Sequence, residues 1–380
     1  MKVEAAPKKS RFLLIFVCIF LAILLVFGIV MGSIVAYTNA TSAARYDTVN
    51  LSEGAARAFQ SYYKNKYVAA LIRSGVSFYE HESFWESAAD EGGSYGDYLR
   101  EATEAAVREM VVRASLFDGV ADLTAADRNK ISAACEYILN DRAGGDEGAF
   151  NEQTKPYGFT YRDMCEMATV YYKSQQAITA IYGADGSRVL YRTDACEEYL
   201  SQYSHIYILF IKTEGATGEE LSKKQTAIAE LREAIARREA GESGVINEIM
   251  FFEYIKNFSE DTPENKTYGY YLKDGASYTE RSREEAPVMT ERALEMAAGE
   301  FSEVEFDAGG VCFIYKAEPD SQAYLNLNKI SGLDDFTSGA AKFAFTSDVS
   351  LFSEDVSITE NYYRTDITKI KYTGDYFPLT

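Results

Sequence analysis

Histidine and closely spaced cysteine are scarce in this sequence of 380 residues. It contains two histidines, His81 and His205, and five cysteines, none of which belongs to a Cys-x-x-Cys pair. Zinc sites in proteins are built largely from imidazole and thiolate groups at short spacings. The sequence therefore argues against a His/Cys metal site, and it predicts no cofactor.

Basic residues are also scarce, because 38 Lys and Arg stand against 58 Asp and Glu, which gives a net charge of −20. A surface this acidic repels phosphate backbones, so we expect no nucleic-acid binding. The 26 glycines and 6 prolines are too few for a low-complexity chain, and a hydrophobic fraction of 47% is that of a folded protein. The length predicts two or three domains.

One long apolar run lies near the N-terminus. Residues 1–11 carry four basic side chains and one acid, a net charge of +3, and the next charged residue after them is Arg45. The run 12–37 is nearly all apolar and exceeds the roughly 20 helical residues that cross a bilayer. We expect a cytoplasmic tail at 1–11 and a transmembrane signal anchor at 12–37 in the cell membrane, because basic residues before a span stay inside. The rest of the chain, which carries −23 since the whole carries −20, would then be extracytoplasmic.

A cleaved signal peptide is the alternative to an anchor. The apolar core of a signal peptide has roughly 7–15 residues, fewer than this run, although the small residues of TNATSAA that follow could be cut. A lipoprotein is not favoured, since Cys18 follows Phe16 and Val17 rather than small residues. Four cysteines would lie outside, and their spacing leaves open whether they are free or paired: Cys135, Cys165, Cys196 and Cys312.

The extracytoplasmic part changes character near residue 200. Over 46–200, apolar residues recur at helical spacing, which predicts an all-helical domain. Capping residues mark three helix starts: Ser52, Thr124 with Asp127, and Thr160 with Asp163. Over 201–318 the pattern predicts β-α-α-β-α-β-β, from the run HIYILFIK to a hairpin around 307–310. The predicted fold class is α+β. Residues 319–380 are polar and β-leaning, and packing on the helical domain is one arrangement open to them.

Several segments of 201–318 match one known family. They are SHIYILFIK with His205-Ile206, FSED with Ser259-Glu260-Asp261, YGYY at 268–271, GEFS at 299–302 and the closing strand 311–316. Together they resemble a parvulin-type peptidyl-prolyl isomerase domain, and the helical region before it resembles the N-terminal chaperone domain of SurA/PrsA-type foldases. The resemblance covers roughly 46–318 and implies a membrane-tethered extracytoplasmic foldase.

The resemblance also implies a proline-binding groove. Parvulins build it from two histidines, a Cys or Asp, a Thr, and a Met/Leu/Phe floor. Carried over, the catalytic positions fall on His205, Asp261 and, for the second histidine, Cys312. The substrate-binding positions fall on Met289, Leu294, Asp307 and Tyr270.

The departures from the family pattern bear on catalysis. Prolyl isomerisation crosses a rotation barrier of ~18–20 kcal/mol and needs a dry, shaped pocket that favours the twisted imide. Cys312 in place of a histidine, and Glu285 near the floor, imply weak or absent activity. We therefore expect a chaperone that binds unfolded secreted polypeptides, preferably basic ones. An active isomerase that uses His205, Asp261 and Cys312 is the alternative, and a non-catalytic scaffold of the cell envelope is the third.

Overall fold

The chain forms two compact units. The first comprises Met1–Ile181 with Asp348–Thr380, and the second comprises Tyr182–Ser347. The computed structural model describes residues 40–89, 92–183, 186–273, 285–305 and 310–372. The predicted tail 1–11 and span 12–37 lie outside these ranges and stay predictions. Within the ranges, no helix is both long enough and apolar enough to cross a membrane.

Helices and antiparallel strands both contribute, as expected for an α+β protein. Up to residue 200 the elements are β1 (Ser42–Tyr46), β2 (Val49–Ser52), α1 (Glu53–Arg73), α2 (Glu82–Glu86), α3 (Tyr95–Asp118), α4 (Ala125–Ala143), α5 (Glu147–Thr154), α6 (Tyr161–Tyr182) and α7 (Thr193–Leu200). They continue as β3 (Ser204–Lys212), α8 (Gly218–Glu239), α9 (Glu248–Phe258), α10 (Pro263–Tyr268), β4 (Tyr270–Leu272), α11 (Glu285–Glu295), β5 (Phe301–Glu305), β6 (Gly310–Ala317), α12 (Phe336–Ser353), β7 (Ser357–Ile358) and α13 (Glu360–Tyr363). Short 3-10 helices lie at Lys155–Tyr157, Ser187–Tyr191, Ala323–Lys329 and Ile367–Lys369.

The predicted helix starts in the first unit are confirmed. The hydroxyls of Ser52, Thr124 and Thr160 each accept a hydrogen bond from the main-chain N–H three residues further on, at 3.2, 3.2 and 3.3 Å. Asp127 and Asp163 complete two capping boxes by accepting the main-chain N–H of the capping residue. These bonds satisfy N–H groups that the first turn of a helix leaves unpaired.

A small antiparallel sheet corrects the prediction that 46–200 is all-helical. β1 pairs with β2 across a tight turn, in which Asp47 has a φ of 45°, and β7 pairs with the other edge of β1. The strands have two to five residues, too few for a recognisable alternation of apolar and polar side chains. Through β7, residues 357–358 of the C-terminal segment pack within the helical unit.

The second unit is built on a four-stranded antiparallel sheet with the order β4-β3-β6-β5. The predicted strand at HIYILFIK and the pairing of β5 with β6 are confirmed, while the hairpin loop 306–309 lies outside the described residues. The predicted strand 267–272 shrinks to β4, because helix α10 occupies 263–268. Thr262 caps this helix and Pro263 is its first residue, a sequence typical of a helix start.

The two faces of this sheet bury separate cores. Side chains alternate between the faces of a strand, so β3 and β6 contribute to both. One face packs against α8 and α9, and the core between them includes Leu209, Ile211, Phe313 and Tyr315 of the strands and Leu231 and Phe251 of the helices. The other packs against α11 and includes Ile206, Ile208, Tyr270, Met289, Ala293, Cys312 and Ile314. We call them the α8/α9 face and the α11 face.

The C-terminal segment differs from the expectation of β-leaning structure. Its main element is the 18-residue helix α12. The buried residues of this helix recur at helical spacing, which is the signal that its high Ser, Thr and Phe content obscures: Phe336, Ala340, Ala341, Ala344, Phe345 and Val349. The units divide at 181/182 and 347/348, whereas the sequence predicted domain boundaries at 200/201 and 318/319.

Candidate functional site

His205, the first predicted catalytic residue, lies near the start of β3 and is 5% exposed. Its Nδ1 is 3.0 Å from the carbonyl oxygen of Glu318, and its Nε2 is 2.9 Å from that of Tyr268. The ring stacks on Tyr271 with a centroid separation of 4.4 Å. Both ring nitrogens therefore face main-chain carbonyl oxygens, and neither is left to face a substrate.

Burial and hydrogen bonding shift the pKa of His205 in opposite directions. Burial lowers the pKa of His205, and the two carbonyl oxygens and the Asp320 carboxylate oppose this shift. A neutral imidazole has one N–H and donates to one of the two carbonyls. Gly269 allows the close approach of this chain segment, since its φ is +70° and an added Cβ would lie 2.8 Å from His205 Nε2. The arrangement is that of a histidine that holds strand ends together.

Asp261 is 7% exposed and lies between α9 and α10. Its Oδ1 accepts hydrogen bonds from the main-chain N–H of Thr262 at 2.7 Å and from the side-chain amide of Asn265 at 3.0 Å. Its Oδ2 accepts one from the hydroxyl of Tyr270 at 2.6 Å. The hydroxyl of Ser331 donates to Asn265 Oδ1 at 2.7 Å. We call these four side chains, Asp261, Asn265, Tyr270 and Ser331, the Asp261 network.

The Asp261 network explains how a carboxylate is tolerated at this depth. A buried charge is costly unless hydrogen bonds compensate it, and both oxygens here are engaged. Helix α10 sets Asn265 one turn beyond Asp261, and the pairing of β4 with β3 places Tyr270 opposite Ile206. The carboxylate is thus committed to protein donors.

Cys312, the third predicted catalytic residue, is fully buried on the α11 face. Met289 of α11 is 8% exposed and belongs to the same cluster, as does Tyr270. The structure therefore brings Tyr270, Met289 and Cys312 together, with Asp261 attached through the Tyr270 hydroxyl. This cluster is apolar and closed, apart from the hydroxyl.

His205 does not join this cluster. It shares the α8/α9 face with Tyr207, whose ring is 4.9 Å from the imidazole and packs on that core. The register pairs His205 with Ala317 and Phe210 with Cys312, so five residues of β3 separate them, about 16 Å at ~3.3 Å per residue. His205 and Cys312 thus lie on opposite faces and at opposite ends of their strand pair.

The remaining predicted residues divide further. Leu294 is 49% exposed, because Met289, Ala293 and Met296 occupy the buried side of α11 and its end. Leu294 therefore lies outside the buried cluster, in which Met296 takes the buried position, and its place in a groove stays a prediction. Asp307 lies outside the described residues, as does the side chain of Glu285.

The sequence did not predict two residues of the site, Asn265 and Ser331. The Thr262-Pro263 pair signals the start of α10, and this helix would have placed Asn265 beside Asp261. No comparable signal marks Ser331, which reaches β4 from a distant loop by a bridge to Tyr270. In the described part of the chain, no three His, Cys, Asp or Glu side chains are grouped in a way that could hold a metal ion.

Comparisons with known proteins give a limited likeness. No family model matches the chain, and no curated protein matches it. Among solved structures, the chain is similar to PrsA from Bacillus subtilis, with 14% identity over 70% of this chain and 89% of that one and a TM-score of 0.21. The chain is also similar to a peptidylprolyl isomerase (PrsA) from Bacillus cereus, with 14% identity over 71% of this chain and 89% of that one and a TM-score of 0.21. The foldase PrsA from Streptococcus pneumoniae is 13% identical over 77% of this chain and 96% of that one, with a TM-score of 0.20. At such low TM-scores, any functional assignment depends on the residues of this chain.

Proposed function

We propose that this protein is a membrane-anchored, extracytoplasmic foldase-like chaperone that binds unfolded secreted polypeptides and has little or no prolyl isomerase activity. The anchor is the apolar run 12–37, and the parvulin and SurA/PrsA resemblance supplies the functional class. The proposal that isomerase activity is weak or absent is supported by one observation, the location of His205 and Cys312 on opposite faces of the sheet.

The chemistry of prolyl isomerisation explains why this separation matters. The enzyme must enclose one prolyl imide and bind its twisted form more tightly than its planar form. Residues on opposite faces of one sheet cannot contact the same imide. Cys312 and Met289 are buried by neighbouring side chains, and both nitrogens of His205 face carbonyl oxygens, so these groups are committed to the fold.

The exposed surface supports binding of unfolded chains. Among the residues that the structure describes, large apolar side chains are more than 60% exposed at five positions, Tyr137, Tyr191, Ile249, Leu325 and Leu351. Single exposed apolar residues are common on proteins, so their number alone decides little. Their combination with a net charge of −20 favours weak, adaptable contacts with segments that are apolar and basic.

Two assays on the full-length chain in detergent micelles test the proposal. The first follows cis/trans isomerisation of a proline peptide, and we expect the uncatalysed rate. The second follows aggregation of a reduced secreted protein, and we expect aggregation to slow at an equimolar amount of chaperone.

The outcomes separate the three functions. A catalysed rate that Asp261→Ala abolishes would establish the active isomerase instead. Unchanged aggregation together with an uncatalysed rate would refute both activities and leave the scaffold function. Heat-unfolded chain serves as the control for non-specific effects of added protein.

A further inference from the structure

A groove in the first unit is filled by the chain's own C-terminal segment. Residues 364–372, which we call the strap, cross helices α1, α2 and α3. Ile367 and Ile370 of the strap are 4% and 1% exposed. The side chains that receive them, which we call the strap groove, are Val68, Phe84, Trp85 and Leu99, with Tyr63, Tyr67, Phe78 and Tyr95 at the margin. The groove thus accepts two aliphatic side chains three residues apart.

The groove also binds the main chain of the strap. Lys64, whose side chain is fully buried, donates from Nζ to the carbonyl oxygen of Thr368 at 3.0 Å and to that of Ile370. Glu80 accepts the main-chain N–H of Tyr372 at 3.2 Å and pairs with Lys64 at 2.8 Å. Every polypeptide offers carbonyl and N–H groups, so these contacts do not depend on the sequence of the strap.

A buried lysine such as Lys64 stabilises a permanently closed core no better than an apolar residue would. A buried lysine requires full compensation, and an apolar side chain of similar size is often equally stabilising. Here the compensation comes from Glu80, from the face of Trp85 at 4.8 Å, and from two carbonyl oxygens of the strap. If the strap leaves, water can replace those carbonyls. The site is therefore suited to exchange one peptide segment for another.

The charge of the strap indicates which segments would fit. Arg364, Lys369 and Lys371 against Asp366 give it a net charge of +2 within a chain of −20. Arg364 donates to Glu53 Oε2 at 2.9 Å, and the two lysines are exposed. A basic occupant is thus complementary to an acidic protein.

We propose that the strap groove is the client-binding site of this protein and that the strap is an intramolecular occupant which a client segment displaces. The client is an unfolded segment with two aliphatic residues three positions apart and Lys or Arg beside them. This rests on the chaperone function proposed above and gives it a location. A tethered occupant acts at an effective concentration of order mM, so a free segment binds weakly until the strap is weakened.

The test measures binding of a fluorescent peptide with the strap sequence RTDITKIKY to the full-length chain in micelles. We expect the double variant I367A/I370A to bind this peptide at least tenfold more tightly than the unaltered chain. Val120→Ala, at a site 52% exposed, should leave the affinity unchanged. A peptide with Asp at both isoleucine positions should not bind. The single tryptophan, Trp85, lies in the groove, so its emission should shift to the red when the strap is weakened and return when peptide binds.

Unchanged affinity in an I367A/I370A variant that keeps its circular dichroism would overturn the proposal. If that variant does not fold, Asp366→Ala/Tyr372→Ala weakens the strap by removing the ion pair of Asp366 with Arg100 and the partly exposed ring of Tyr372. A rise in peptide affinity of at least threefold is required of this second variant. Aggregation suppression that excess strap peptide does not inhibit would refute the groove and leave the chaperone function. Peptide binding without aggregation suppression would refute the chaperone function and retain the groove.

Discussion

Restoring a histidine at position 312 should not restore prolyl isomerase activity. Parvulin resemblance alone predicts the opposite, because the second groove histidine is the residue that Cys312 replaces. In the structure, Cys312 is fully buried on the α11 face, and His205 lies on the other face of the sheet. The imidazole of Cys312→His would enter the apolar cluster around Met289 and Ile314 and meet neither His205 nor solvent.

The cost of this substitution follows from its surroundings. Forcing a larger side chain into a packed core costs about 1–3 kcal/mol, and leaving a buried polar group without a partner costs about 1–3 kcal/mol more. We therefore expect Cys312→His to destabilise the second unit by about 2–6 kcal/mol. Cys312→Ala adds no polar group and should cost about 1 kcal/mol, the centre of the range for single substitutions.

Two measurements on the same preparations test this reasoning. Urea-dependent hydrogen exchange of peptides from β3 and β6 gives the loss of stability, and the proline-peptide assay gives the activity. A Cys312→His protein that is as stable as the unaltered chain, or that accelerates isomerisation, would refute the placement of His205 and Cys312 on opposite faces.

Three further predictions concern burial and titration. Met289→Ala should lower the free energy of unfolding of the second unit by about 2–4 kcal/mol, because it leaves a cavity. The side chain of Leu294 is half exposed, so Leu294→Ala should change the same free energy, measured by thermal unfolding, by under about 0.5 kcal/mol. Burial raises the pKa of Tyr271 to about 12. The neutral hydroxyl therefore contributes fully to the free energy of unfolding below pH 10, and this contribution is lost as the pH rises from 10 through 12. Tyr271→Phe should lessen the fall in urea resistance over that pH range. Hydrogen bonding from Cys135 lowers the pKa of Cys165, while the same contact raises the pKa of Cys135, so iodoacetamide at pH 7 should label Cys165 first, as read by peptide mass spectrometry.

Each of these has a contradicting result. Equal effects of Met289→Ala and Leu294→Ala would mean that α11 packs through its other side. An identical alkaline profile with and without the Tyr271 hydroxyl would show that this group titrates normally. Equal labelling of Cys165 and Cys135 would show that the two thiols are not in contact.

The parts of the fold that the sequence predicted have strong local signals. β3 is a nine-residue run rich in isoleucine and aromatic residues, and three helix starts carry capping side chains that make the expected bonds. The parts that escaped are short or depend on distant residues. β7 has two residues and pairs with β1 from the other end of the chain. Lys64 is a charged residue in a helix, so nothing in the local sequence indicates that its side chain is buried and bonded to residues 368 and 370.

The candidate site was predictable only residue by residue, and the geometry of the sheet explains why. In an antiparallel pair, two residues share a face only if one lies opposite the other or an even number of positions away. His205 lies opposite Ala317, so Phe313 and Tyr315 share its face and Cys312 does not. A motif match assigns Cys312 to the correct strand, yet a difference of one position transfers its side chain to the other core. The same rule groups Tyr270 with Cys312, because Tyr270 lies opposite Ile206 on β3. A groove that needed both His205 and Cys312 would therefore require a register shift of one residue between β3 and β6, and that shift would move Phe313 and Tyr315 from the α8/α9 face to the α11 face. Because both cores are apolar and closely packed, the observed register is strongly favoured, and the separation of the two residues follows from the packing of the whole sheet.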